Sequence, residues 1–365
     1  MKPRTVLSAQ AGLSLVELMV SMAVGLLLVA GLALMFANSS RSGNALNQSL
    51  RQVENGRYAI ELLQDELSMA GFYAEVPLDS LVYALPDACA TATGTLGWDI
   101  SSPAVPTAPM PVMGVTATQA LACLSHRRSG TPAFVVHRLS ADSVPVTAVQ
   151  AGSVYVQTSR CNKDSATTPF VVANQAASFV LRERKCDQQT QVRPYVARIY
   201  YIADCSECTG NGDGIPTLTM AELRGAAFVA VPLVEGVEDM VLEYGFDTTP
   251  VDAAVTSNAS KGVPDIYRTA LSGVAGAADN DWANVMSVRM HLLVRTQDAS
   301  PEFNDGGRRY HLADQERGPF TDGFKRRVYG GTVRLNNVAG RREVPVPVTS
   351  TTSSASSTAA AGAVL

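Results

Sequence analysis

The sequence predicts an α+β protein in which a long N-terminal helix, hydrophobic and then amphipathic, packs on a large antiparallel β-rich head. Three observations carry this. Residues 13–37 form an apolar stretch whose only formally charged side chain is Glu17. An amphipathic pattern continues from it to about Ala70 with no strong break. Beyond Gly71 the chain turns to short alternating apolar segments, in a composition of 17% charged residues, 28 Gly and 19 Pro that favours strands and turns over a helical bundle.

The first twelve residues carry two positive charges, Lys2 and Arg4, and end in Gln10, Ala11 and Gly12. An ordinary secretory signal has an apolar core of about 7–15 residues, with its cleavage site after that core. The run here is about 25 residues, enough for roughly 30 Å of hydrocarbon. The positive leader should stay cytoplasmic, which places the remainder outside the membrane. A carboxylate inside such a run is costly in lipid and marks a partner or a function, so Glu17 is a candidate contact residue.

Residues 38–45 are small and polar and are expected to fray or bend the helix as it leaves the membrane. After them Leu46, Leu50, Val53, Ile60, Leu63 and Leu67 recur at helical spacing and predict one face laid against a sheet. Arg51, Glu54, Arg57, Glu61, Asp65 and Glu66 are then expected to face water, Gly56 is a weak interior point, and Gly71 is a stop. A continuous helix over 13–70 measures roughly 85 Å.

Residues 74–132, broken by Pro77, Pro86, Pro103, Pro106, Pro109 and Pro111, read as an irregular insertion, with Trp98 as a local hydrophobic plug. Strands are predicted over 134–139, 153–158, 178–183, 196–202, 228–234, 240–246, 285–295, 310–313 and 327–335. Val288, Met290, Leu292 and Val294 alternate with Arg289, His291 and Arg295, one face in and one out. Residues 71–344 thus form the head, and 345–365 a low-complexity tail of Pro, Thr, Ser and Ala that cannot form a core.

The net charge of −4, or −6 without the first twelve residues, offers no concentrated cationic footprint for nucleic acid. Six cysteines, Cys89, Cys123, Cys161, Cys186, Cys205 and Cys208, lie beyond the apolar segment and fit up to three disulfides in an oxidising compartment, with fifteen complete pairings open. Cys205-Ser206-Glu207-Cys208 has the spacing of a redox pair or half a zinc site, but the loop-like residues after it favour structural disulfide chemistry. The segments 211–214 and 304–307 lack the twelve-residue calcium arrangement and read as turns. Without a nucleophile elbow, a phosphate loop or short histidine spacing, no catalytic residue, cofactor or metal is indicated.

The stretch Gln10-Ala11-Gly12-Leu13-Ser14-Leu15-Val16-Glu17-Leu18-Met19-Val20 resembles the class III signal of type IV prepilins. The resemblance implies cleavage after Gly12 by a prepilin peptidase, methylation of the new terminus at Leu13, and a role for Glu17 opposite the α-amine of a neighbouring subunit. Leu13 stands where phenylalanine is most common in that family.

Thr131-Pro132-Ala133-Phe134-Val135-Val136-His137-Arg138 resembles an early strand of the PilW group of minor pilins, and Asp213-Gly214-Ile215-Pro216-Thr217-Leu218 follows the paired cysteines as in that group. Residues 233–245, 288–295 and 326–336 continue the similarity in order, and 84–130 matches least. This implies a type IV pilin-like fold and a non-enzymatic minor pilin that helps initiate pilus assembly within a tip-associated complex. Its implied partners are the prepilin peptidase, other minor pilins, the major pilin and a pilus-tip adhesin. Its implied place is the bacterial inner membrane with the head in the periplasm. A minor pseudopilin of type II secretion shares the amino terminus, and a bitopic periplasmic binding or sensor module is the reading from another class.

Overall fold

The computed structural model describes residues 14–76, 81–248, 261–269, 281–300 and 303–342; the leader, Gly12, Leu13 and the tail over 345–365 lie outside the described residues. A single helix, α1 (Leu15–Ser68), runs unbroken for 54 residues, so the small polar stretch over 38–45 stays helical. Ser14 caps it, its Oγ accepting from the Glu17 amide at 3.2 Å. It ends at Met69, and Gly71 follows at φ +72°.

After α1 come β1 (Val82–Ala84), β2 (Thr107–Pro109), β3 (Val112–Val115), β4 (Ala133–Leu139), β5 (Tyr155–Thr158), a short α2 (Asn162–Ser165), β6 (Phe170–Ala173) and β7 (Val192–Ala203). The chain continues through β8 (Thr217–Arg224), β9 (Ala227–Glu235), β10 (Val237–Phe246), β11 (Ile266–Arg268), β12 (Val285–Arg295), β13 (Tyr310–Leu312), β14 (Gln315–Arg317), β15 (Arg326–Arg334) and α3 (Asn336–Arg342). One sheet has the order β3-β4-β7-β5-β6, with β8 and β9 added beside β7; the other has the order β11-β10-β12-β15. Every pairing in both is antiparallel.

The twelve-residue β7 makes the larger sheet possible, because its start pairs with β5 and its end with β8 on one side while β4 runs along the other. The chain changes sheets between β9 and β10 at one residue, Gly236. Its φ is +82°, and a Cβ there would stand 2.6 Å from the Arg295 carbonyl oxygen, so only glycine fits the corner.

The C-terminal half of α1 lies across β15, β12 and β9 and shares the main core with both sheets: Ala59, Leu63, Leu67 and Ala70 pack among Phe134, Tyr200, Leu218, Met240, Val288 and Leu292. The alternation read in β12 is real, with Val288, Met290, Leu292 and Val294 all buried. Its other face is only partly wet, because the β13–β14 hairpin lays Tyr310 and Leu312 over Val241 and Leu293. A second cluster surrounds Trp98, which meets Tyr73, Phe170 and Tyr195 edge-on at centroid distances of 5.1, 5.4 and 6.0 Å. Trp98 is thus a local hydrophobic plug, as expected.

Four expectations are corrected. The buried stripe of α1 is Gln52, Gly56, Ala59, Leu63, Glu66 and Leu67, while Leu46 and Leu50 are exposed. The helix meets the Tyr329-Gly330-Gly331 part of β15 at close range, and that approach selects small residues: a Cβ on Gly56 would overlap the Tyr329 ring, and one on Gly331 would stand 2.7 Å from Ile60. Glu66, expected in water, is buried. The insertion is not wholly irregular, since β1 pairs with β2, which ends at Pro109, and β3 joins β4 at the edge of the larger sheet just after Pro111. Finally, 178–183 is no strand; a Cys161–Cys186 disulfide and an Arg182–Asp164 ion pair hold it as a loop.

Candidate functional site

The apolar N-terminal half of α1 stands clear of the head. Leu15 is 75% exposed and Phe36 77%, and every large apolar residue between them is exposed too. The described residues contain one helix long and apolar enough to cross a membrane. Glu17 sits in its first turn, where the helix dipole favours a carboxylate, and no described cation is ion-paired with it. A long apolar surface with one carboxylate near its end is open to similar helices.

Contact with the head begins near Gln48, whose amide donates to Asp298 at 3.3 Å. Carboxamides then tie helix to strands. Gln52 Nε2 donates to the Val294 and Lys325 carbonyl oxygens, both at 2.8 Å, Asn55 to Glu235 at 3.1 Å, and Gln64 to Thr332 at 3.2 Å. The Tyr329 hydroxyl returns a bond to the Gln52 carbonyl at 3.3 Å. These bonds satisfy backbone groups that the helix would otherwise cover.

At the far end Glu66 fixes the last turn. Its carboxylate accepts from Arg138 Nε at 3.0 Å and from Arg198 Nη1 at 2.7 Å, and Arg198 also reaches Glu222 at 2.7 Å. Glu66 is 9% exposed, and Arg138 and Arg198 are 14% and 22% exposed. Burial works against the Arg198 charge, but Glu66 and Glu222 more than offset it and hold the guanidinium above its usual range. A comparable cluster under β10 has Arg326 fully buried between Glu238 and Asp322 and stacked 3.6 Å from the Phe320 centroid. The helix is therefore locked into the head by fitted packing, amide bonds and buried charge. Gln52, Asn55, Gly56 and Ala59 stand at helical spacing in the sequence, but they are polar or small, so a hydrophobic pattern does not mark this face.

Three disulfides join Cys89 to Cys123, Cys161 to Cys186, and Cys205 to Cys208. The first closes part of the stretch read as an irregular insertion, the second the loop after α2, and the third the corner between β7 and β8. In that corner the Asp213 carboxylate accepts from the amides of Ser206, Glu207 and Ile215 at 2.9, 2.9 and 3.0 Å, as a turn-forming aspartate does. Asp305 in the other acidic turn accepts from the Tyr310 hydroxyl at 2.8 Å. Of the residues expected to direct processing and subunit contact, Gly12, Leu13 and Glu17, only Glu17 is described; it is exposed.

Two family profiles match the chain. The profile of PilW, the type IV pilus-assembly protein W, matches residues 199–337, from within β7 to the start of α3. The prokaryotic N-terminal methylation motif matches residues 7–33. No curated protein matches the chain. Among solved structures a type IV-like pilin from Thermus thermophilus is similar at 10% identity and a TM-score of 0.32, covering 78% of this chain and 97% of that one. A PilW-like type IV pilin domain and an N-terminal prepilin methylation motif are both present.

Proposed function

We propose, on the premise that a prepilin-type amino terminus is here joined to a PilW-like head, that the protein is a minor pilin that helps initiate type IV pilus assembly within a tip-associated complex. The observation that carries this is one unbroken helix with two different halves: bare and apolar from Leu15 to Phe36, and locked into a head from Gln52 to Leu67. Such a helix transmits any force on its apolar half directly to the head.

In this reading residues 1–12 are a leader removed after Gly12, Leu13 becomes the methylated terminus, and 13–37 serves first as a bilayer anchor and then as filament core. Lipid tails are as apolar as the helix, so packing between subunits rather than water exclusion supplies adhesion. The Glu17 carboxylate, costly in hydrocarbon when unpaired, sets the register by meeting the amine of the next subunit. Residues 38–70 continue the helix into the periplasm, and 71–344 form the head. Disulfides agree with an oxidising compartment. A head this large in proportion to its helix suits a tip position, beside other minor pilins, the major pilin and an adhesin.

Cross-linking the full chain in membranes and identifying its covalent partners tests this. Minor and major pilins are the expected partners. Exclusive recovery of type II secretion pseudopilins would transfer the subunit to that system, and recovery of neither would return it to the class of anchored binding modules.

A further inference from the structure

The corner between β7 and β8 gathers metal-ligand side chains that the assembly role does not use. Cys205 and Cys208 come from the corner itself, Asp204 from the residue that follows β7, and His126 from a segment almost eighty residues earlier. A ring nitrogen of His126, a carboxylate oxygen of Asp204 and the two sulfurs all lie within 4.8 Å of one another. In a tetrahedral zinc site with bonds of about 2.0–2.3 Å, ligand atoms stand roughly 3.3–3.8 Å apart. The four donors therefore lie close to that spacing, with the two sulfurs bonded to each other.

Backbone pairing holds the histidine there. The Asp204 amide donates to the His126 carbonyl at 2.9 Å, Arg127 bridges to Ala203, and the Arg128 amide donates to Ile202 at 2.8 Å. His126 takes φ +56°, a left-handed conformation uncommon for a residue with a side chain. Its ring Nδ1 stands 3.7 Å from Asp204 Oδ1, on the open side of the buried Cys205.

We propose that this corner is a redox-gated site for a divalent ion of the zinc type, held by Cys205, Cys208, His126 and Asp204 once the disulfide is reduced. A dithiol reductant transfers two electrons and two protons to the two sulfurs, breaks the S–S bond and is itself closed to a disulfide. The ion then binds both sulfurs as thiolates and releases those two protons. Thiolate and imidazole donors select zinc or a similar borderline ion over calcium or magnesium, which take oxygen. The oxidised and metal-bound states exclude each other. The corner also touches the helix seam, since the Ser206 hydroxyl donates to the Glu235 carboxylate at 2.9 Å and Asn55 of α1 holds the Glu235 carbonyl.

The test is titration of the full chain in detergent with Zn²⁺, in competition with a chromophoric chelator, before and after reduction, with Co²⁺ as a spectroscopic substitute. The expected result is one ion per chain in the reduced protein only, with the cobalt–thiolate charge-transfer band and tetrahedral ligand-field bands. Bound zinc should shield Cys205 and Cys208 from alkylation while the other four cysteines react as in the reduced metal-free chain. His126→Ala and Asp204→Ala keep all six cysteines and alter exposed side chains, so they should fold; each should weaken binding about tenfold or more. Equal binding by the oxidised chain, no binding by the reduced chain, protection of other cysteines instead, or full affinity in both variants would each overturn the proposal.

Discussion

Replacing Glu66 by alanine tests the lock between helix and head most directly. The substitution leaves two guanidinium groups where one carboxylate had served both. Arg198 keeps Glu222 at 2.7 Å, but Arg138, 14% exposed, retains only the Leu139 carbonyl at 3.3 Å. Removing one member of a buried pair costs about 3–5 kcal/mol, most of it from the stranded charge. With one of the two arginines still paired, the lower end applies, about 3 kcal/mol. Arg138→Met, which leaves Glu66 with Arg198, should cost less. Combining Glu66→Leu with Arg138→Met removes the charge that Glu66→Leu alone strands, and the double variant should be more stable than the single. Denaturant unfolding of the full chain in detergent, followed through Trp98 and Trp282, measures all four. A loss below about 1 kcal/mol for Glu66→Ala, or a double variant no better than the single, would refute the idea that buried charge fixes the last turn.

Gly56→Ala should destabilise the protein by about 1 kcal/mol or more despite alanine's better helix propensity, because the methyl group overlaps the Tyr329 ring; in a Tyr329→Ala background the same change should stabilise by up to about 1 kcal/mol, and failure of the sign to reverse in unfolding experiments would count against a seam set by that ring. His137 is buried, its Nδ1 donates to the Met110 carbonyl oxygen at 2.6 Å, and burial lowers its pKa from 6.5 to about 4, so between those values the unfolded chain binds the extra proton. Its contribution is complete above pH 6.5 and is lost as pH falls, so wild type should lose about 3 kcal/mol more than His137→Gln between pH 7 and pH 4; parallel stability curves would contradict the buried neutral ring. Glu17→Ala should leave membrane insertion intact and reduce recovery in sheared filaments or tip complexes, read by immunoblot; unchanged recovery removes the register role from this carboxylate.

The sequence made the apolar helix visible because uninterrupted hydrophobicity is a local property. It made β12 visible because one buried face leaves a period of two, as Val288 to Val294 show. The seam was harder to read. Leu46 and Leu50 have the right spacing but are exposed, Leu46 ahead of the first contact with the head and Leu50 off the buried stripe, and Gly56 and Ala59 are buried for their smallness, which hydropathy does not register. Glu66 read as solvent-facing because its partners, Arg138 and Arg198, arrive from strands far along the chain. The strand β8, Thr-Leu-Thr-Met-Ala-Glu-Leu-Arg, has residues that suit a helix as well, and pairing with β7 and β9 decides its form. At the β7–β8 corner the cysteines were plain from their spacing, whereas His126 joins them only through backbone pairing with Asp204.

The central claim is that this chain enters assembly through prepilin-type maturation, and mass spectrometry of the N-terminal peptide from membrane-extracted protein tests it most directly. A chain beginning at Leu13 with a methylated α-amine is the expected result. A chain beginning at Met1, or cut beyond residue 37, would contradict the account, because neither leaves Glu17 the fifth residue of a helix with a free apolar terminus.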